Sequence, residues 1–180
     1  MVDSSSFVGT DGFDKSREFI KAVAQYFDFK ATKFSLIDFA GDAKTLIAFN
    51  NPSKSMDELK ALIDDIQYRG DKSHKLSSGL DLAMNSFNGI GKMKKRLVLI
   101  TASQPTDDQN QEQSLVNVLK AQMESSGVDI SVVGVGSGVT KDQITKLATR
   151  SIQAFTPPSY DDIFGAVVDL RKNICDEKQR

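Results

Sequence analysis

Arg96-Leu97-Val98-Leu99-Ile100-Thr101-Ala102 is apolar at nearly every position. A strand with one face in water alternates apolar and polar residues. A run that is apolar at consecutive positions is a strand covered on both faces, as in a parallel sheet between helices. Val128 to Gly136 is a second such strand. Outward from these two, the apolar period changes repeatedly. Helical spacing runs from Phe13 to Phe27, with Phe13, Phe19, Ile20, Val23, Tyr26 and Phe27 on one face. Ser55 to Ile66 is helical, with Met56, Leu59, Leu62, Ile63 and Ile66 inward and Ser55 and Glu58 spaced as a capping box. Leu76 to Phe87 carries Leu80, Ala83, Met84 and Phe87, and Gln109 to Ser125 carries Leu115, Val118, Leu119 and Met123 inward. Thr140 caps a short helix with Ile144 and Leu147, and Ser159 caps a last one with Ile163, Phe164, Val167, Leu170 and Ile174 inward. Between the first two helices, Phe34 to Phe39 and Thr45 to Phe49 flank the Gly41-Asp42 turn as a β-hairpin. Gln153 to Phe155 is a further short strand ending at Pro157-Pro158. Buried strands alternating with helices predict an α/β domain, a three-layer doubly wound, mainly parallel sheet with helices on both faces.

Such a sheet needs a strand before its first helix. Only Met1-Val2 precedes Asp3, and two residues are too few for a central strand. The expectation is therefore a truncated first strand, a chain that is a fragment, and a central slot filled by strand exchange between copies or by a rearranged sheet.

The chain has 180 residues, about one domain at roughly 150 residues each. Its formal net charge of −1 supplies no field for nucleic acid or an anionic membrane. The short basic cluster Lys92, Lys94, Lys95 and Arg96 reads as a solvated approach to a buried strand. One cysteine, Cys175, and one histidine, His74, exclude both an internal disulfide and a Cys/His zinc site. No apolar run reaches the roughly 20 residues that span a bilayer. No signal peptide is visible, so the chain is either intracellular or an excised piece of something larger.

Asp3-Ser4-Ser5-Ser6-Phe7-Val8-Gly9 lies between the strand stub and the first helix. Ligands of open α/β sheets bind at the carboxyl ends of the strands, and a carboxylate with hydroxyls there suits a hard cation such as Mg²⁺. Without a cation, Asp3 and Ser5 cap the first helix or brace the loops, the reading favoured for this pair. Phe7 is expected to be buried against Phe13.

With these features the sequence resembles the von Willebrand factor type A domain, also called integrin I-like, of the extracellular matrix type. The resemblance is carried by Val2 to Gly9 followed by Phe13 and Glu18-Phe19-Ile20, by Leu97 to Thr101, by Val132-Val133-Gly134-Val135-Gly136, and by Ile152 to Phe155 leading into Asp161-Asp162-Ile163. It implies strand order 3-2-1-4-5-6 with one antiparallel edge strand, a domain over residues 1–175 and a polar tail over 176–180. It also implies a metal-ion-dependent adhesion site of the form Asp-x-Ser-x-Ser with a distant Thr and Asp. Asp3 and Ser5 match. The second serine position is Phe7, no Thr stands near Ser73-His74-Lys75, and the distant Asp is Ala102. The site is thus expected to be degenerate, with no cofactor beyond weak, millimolar Mg²⁺. In many extracellular members a cysteine like Cys175 pairs with one before the first strand. Cys175 is then either the remaining half of a disulfide or a reduced thiol.

The resulting expectation is a non-catalytic adhesion module of a secreted or cell-surface protein. It binds a protein ligand, a matrix protein such as collagen, through loops that include Ser4, Ser6, Phe7, His74, Ser103, Asp107 and Asp108. His74 sits in a polar loop, where exposure is expected, although that loop also approaches the old cation site. The absence of a permissive Asn-x-Ser/Thr sequon argues mildly against an extracellular setting. One alternative is a Mg²⁺-dependent adhesion domain completed by Asp107 or by a ligand carboxylate. Another is an α/β nucleotide-binding enzyme using Gly134-Val135-Gly136-Ser137-Gly138. That loop is not in the first βα unit and its third glycine comes one position early. No nucleophile elbow supports a Ser-His-Asp triad, so an enzyme is not expected.

Overall fold

The structure is a computed structural model that describes residues 1–103 and 109–175. Six strands, β1 (Val2–Asp3), β2 (Leu36–Phe39), β3 (Ala43–Ile47), β4 (Lys95–Thr101), β5 (Val128–Gly134) and β6 (Ala154–Phe155), form one sheet in the order β3-β2-β1-β4-β5-β6. All neighbours pair in parallel except β2 and β3, the predicted hairpin. Six helices surround it: α1 (Gly9–Ala24), α2 (Met56–Asp64), α3 (Leu76–Asn88), α4 (Gln109–Ser125), α5 (Lys141–Leu147) and α6 (Gly165–Cys175).

The continuous apolar runs of β4 and β5 serve two cores. Leu97, Leu99, Ile130 and Val132 pack with α3, α4 and α5, while Ile100, Val133 and Val135 pack with α1 and α6. Alternate strand residues face opposite ways, so a strand between two helix layers must be apolar at both parities. Local signals set the helix starts. Ser55 Oγ accepts from Glu58 N at 3.2 Å, and Thr140 forms a capping box with Gln143. Ser159 caps a 3-10 turn at Tyr160–Asp162 rather than α6 itself, which starts at Gly165.

Several faces differ from the sequence expectation. Leu115 and Val118 are exposed on α4, whose buried side carries Glu112, Val116 and Met123. The cause is Glu112, whose carboxylate accepts from Ser77 N at 2.8 Å and Ser77 Oγ at 2.6 Å. It caps the first turn of α3, which has no side-chain cap of its own, and so fixes the rotation of α4. Leu62 and Phe164 are exposed, and Tyr26 lies past the end of α1 with Arg171 over its ring at 4.6 Å. The outer borders of the sheet are a β3 with Lys44, Thr45 and Leu46 exposed and a β6 of two residues.

The first strand is short, as expected, and the correction is that it pairs on both sides. Two residues do make it: Val2 pairs with Asp38 and with Ile100, and Asp3 with Phe39. Met1 extends the ladder, donating its amine to Val98 O at 2.8 Å and accepting from Ile100 N at 3.0 Å. Below Met1 the slot between β2 and β4 opens into an apolar cavity of about 360 Å³. Burial lowers the pKa of the Met1 amine from 8.0 to about 5.

This shift fixes a pH dependence wherever Met1 carries a free amine. Between pH about 5 and 8 the unfolded chain binds a proton there and the folded chain does not, so stability rises with pH across that window. The expected gain is on the order of a few kcal/mol, read by urea denaturation at pH 5, 6, 7 and 8. Nα-acetylation should flatten the profile, and a stability that falls with rising pH in the free chain would contradict it.

Candidate functional site

The short β1 delivers Asp3 to the carboxyl end of the sheet, and Asp3 is buried there. Its Oδ1 accepts from Ser5 N at 2.9 Å. Its Oδ2 lies 3.2 Å from His74 Nε2 and accepts from Thr101 Oγ1 at 3.1 Å and Ala102 N at 3.3 Å. His74 Nε2 is also 3.2 Å from Thr101 Oγ1, and its ring meets Phe39 edge-on at 5.2 Å between centroids. His74 is therefore fully buried, not exposed in a polar loop. The loop is drawn in because Lys75 N bonds Ala40 O at 2.7 Å, stitching it to the end of β2. Burial alone would raise the Asp3 pKa. The hydrogen bond and charge of His74, with the bond from the Ser5 amide, outweigh it and hold the carboxyl below its usual range.

Asp3 and Ser5 thus brace the loops and do not cap α1, whose N-cap Val8 offers no side-chain bond. Ser4, Ser5 and Ser6 act largely through the backbone and one hydroxyl. Ser4 Oγ accepts from Arg69 N at 3.0 Å, Ser4 O from Gly70 N at 2.9 Å, and Ser6 N donates to Asp71 O at 2.7 Å. Tyr68 Oη donates to Ser5 O at 3.0 Å. The turn that makes this possible places Gly70 at φ +69°, a left-handed conformation that side chains disfavour. Arg69 ties the rim together through Asp38, Asp42 and Asp71. Burial raises the pKa of Asp38, and the Arg69 guanidinium pulls against that rise.

Phe7 is 51% exposed, where burial against Phe13 was expected. Phe13 already lies in a filled core with Tyr68 at 5.5 Å between centroids, so Phe7 is left at the rim. Ser103 is buried at the end of β4 beside Thr101, which reaches its carbonyl at 3.3 Å. Asp107 and Asp108 lie outside the described residues, as does the 176–180 tail. The glycines after β5 have packing reasons. A Cβ on Gly138 would sit 2.1 Å from Ala102 O, and one on Gly134 would sit 2.6 Å from an Ile144 methyl.

The residues present do not fit a divalent cation. The Asp3 oxygen that would face a metal is already shared among an imidazole, a hydroxyl and an amide. The second serine position is an exposed phenylalanine, and Ala102 brings a backbone amide in place of a carboxylate. Mg²⁺ demands near-octahedral oxygen ligation, which one carboxylate and one hydroxyl do not supply. Among the described residues no cluster of three His, Cys, Asp or Glu side chains could hold a metal.

An open sheet in the order 3-2-1-4-5-6, with an aspartate-serine loop at the carboxyl end of its central strand, defines a class of α/β adhesion folds. The family profile described as the von Willebrand factor type A domain matches residues 1–168, and the chain belongs to that family of adhesion and protein-interaction modules. Proximal thread matrix protein 1 from the mussel byssus has the same fold, with a TM-score of 0.85 at 22% identity over 97% of this chain and 44% of its own. This chain thus spans less than half of that protein. A second structure of the mussel protein, described with a zinc-occupied metal-ion-dependent adhesion site, matches at 21% identity, 97% and 44% coverage and TM-score 0.85. BatB from Bacteroides thetaiotaomicron matches at TM-score 0.66 and 15% identity, over 95% of each chain. No curated protein matches.

Sequence reasoning missed Arg69, Tyr68, Thr101 and Asp38. Arg69-Gly70-Asp71 ahead of a helix carried a usable signal, a turn glycine between opposite charges. Arg69→Met should destabilise the domain by about 3 kcal/mol or more at pH 8, because it leaves the buried Asp38 carboxylate unpaired. The loss should shrink as the pH falls, since burial raises the Asp38 pKa and protonation removes the unpaired charge. Arg69→Met combined with Asp38→Asn should recover much of it.

Proposed function

We propose that this domain is a non-catalytic protein-binding module whose crown grips a protein ligand without a divalent cation, in an extracellular matrix or cell-surface setting. The observation that carries this reading is His74 Nε2 at 3.2 Å from Asp3 Oδ2. The imidazole takes the place where a cation would meet that carboxylate, and it holds the loops as a cation would. Recognition then rests on shape, hydrogen bonds and the rim. Phe7, half exposed beside that braced loop, is the aromatic anchor. The byssal thread matrix protein that shares the fold supports a matrix ligand, with collagen as the partner to try first. We assign the module to residues 1–175 and treat 176–180 as a tail.

One observation favours a cation-dependent second reading. The Ser5 hydroxyl is buried with no hydrogen-bond partner among the described residues, as a ligand oxygen awaiting an ion would be.

Calorimetry with Mg²⁺ and Mn²⁺ decides between them. Wild type and Asp3→Ala should give the same featureless heats. The combined variant His74→Thr, Phe7→Ser and Ala102→Asp, which restores the missing oxygens, should gain saturable binding. Submillimolar binding by wild type that Asp3→Ala abolishes would establish the second reading. Binding to immobilised fibrillar collagen should survive EDTA, and Phe7→Ser should weaken it about tenfold or more.

A further inference from the structure

The pole opposite the crown, where β2 and β4 begin, carries the basic stretch Lys92-Met93-Lys94-Lys95-Arg96. Gly91 turns the chain there at φ +66°, leaving Lys92 and Lys94 exposed and Lys95 half-buried at the start of β4. A second segment brings more charge of the same sign: Lys30 and Lys33, both exposed, lie on the approach to β2. β2 and β4 flank β1, so they stand two strand spacings apart, about 10 Å. Lys33, three residues ahead of β2, and Lys94, one residue ahead of β4, are therefore near neighbours, and both border the same cavity. Two carboxylates near them are spent elsewhere. Asp129, level with Arg96 on β5, takes that guanidinium at 2.9 Å and the Gln153 amide at 2.7 Å, and Asp28 accepts from the Lys30 backbone amide at 2.9 Å. Among the described residues the five lysines have no ion-pair partner. One charge suffices to keep the entry of a buried strand in water. Four exposed ammonium groups on two converging segments repel one another, and an outside polyanion relieves that repulsion. The net charge of −1 does not oppose this, because salt screens charges beyond about 8 Å and the local cluster decides.

We propose that Lys30, Lys33, Lys92 and Lys94 form a binding surface for a sulfated polysaccharide at the pole opposite the crown. The choice of polymer rests on the matrix setting proposed above, and the side chains around the lysines favour it over other polyanions. A single strand of nucleic acid is held by rings on which its bases stack. The rings here are engaged: Phe34 stacks on Phe29 at 5.9 Å and meets Phe27 edge-on at 6.0 Å, and Arg171 lies over Tyr26 at 4.6 Å. An anionic membrane surface is gripped by apolar side chains beside the charges. Of the described residues in these two segments, Met93 is the exposed large apolar one. Lysine ammonium groups are point charges on flexible stems. They suit sulfates scattered along a linear chain, whereas paired phosphate oxygens select the arginine fork.

The test is calorimetry of the full chain with a size-defined heparin octasaccharide. Binding should be saturable at about 50 mM NaCl and weaken about tenfold or more by roughly 200 mM. The combined variant Lys33→Gln, Lys92→Gln and Lys94→Gln should keep its Tm and bind about tenfold or more weakly, whereas Lys33→Arg, Lys92→Arg and Lys94→Arg together should retain binding. Lys44→Gln, Lys72→Gln and Lys146→Gln, which remove the same charge from exposed positions elsewhere, should leave affinity within about twofold. Collagen binding by the first glutamine variant should equal that of wild type, so failure of the crown reading and failure of this one are told apart. Absence of saturable heat at low salt up to millimolar octasaccharide would overturn the proposal. So would equal weakening by the two glutamine sets, equal binding of the desulfated octasaccharide, of polyglutamate or of a single-stranded oligonucleotide, or tighter binding to phosphatidylserine vesicles.

Discussion

Backbone pairing of Val2 and Asp3 to two neighbours at once is the interaction on which the rest of the molecule depends. Among the described residues, β1 is the strand that joins the β3-β2 part of the sheet to the β4-β5-β6 part. Without it, a two-stranded and a three-stranded piece would face each other across a gap, with helices packed over nothing. The same two residues carry Asp3 to the one place where ligands of open α/β sheets gather. Continuity of the sheet and construction of the crown thus come from one short ladder, completed by the bonds of Met1 to Val98 and Ile100.

The crown shows how such a site keeps its shape with different chemistry. A central cation would draw several loops together through shared oxygens. Here one carboxylate plays the central part and the loops donate to it: Ser5 from the first loop, His74 from the loop before α3, Thr101 and Ala102 from the end of β4. A second hub lies beside it at Arg69, which gathers Asp38 of β2, Asp42 of the β2-β3 turn and Asp71 of its own loop before α3. Phe39 packs on the imidazole from inside the core. Each hub binds its carboxylates with donors of the chain itself, the first with an imidazole, a hydroxyl and amides and the second with one guanidinium.

Much of the architecture was legible because two apolar periods were legible. The runs at 97–100 and 128–135 could only be doubly covered strands, and the cap at Thr140 and the hairpin at Gly41-Asp42 sat where their chemistry required. What failed had one physical origin: side chains whose position depends on a partner distant in sequence. Leu115 and Val118 form a plausible inner face until Glu112 reaches across to Ser77. His74 looks solvated among Lys72, Ser73 and Lys75 until Ala40 pulls its loop inward. Phe7 looks like core until Tyr68 is found against Phe13. The two-residue strand failed differently. Counted alone it is too short, but pairing on both sides gives it the backbone partners of a longer one. Of the crown, Asp3 and Ser5 were readable as a remnant and His74 only as a neighbour. Of the Arg69 hub only the Arg69-Gly70-Asp71 turn was readable, because nothing local says that Asp38 and Asp42 converge on it.

The borders of the sheet have a consequence for how the protein behaves in concentrated solution. Backbone edges recruit other chains, and proteins blunt them with charge or brevity. β3 presents Lys44 and β6 offers only two residues, so neither flank is a good template for stacking copies edge to edge. Crowded molecules of this kind should slide past one another rather than add strand to strand.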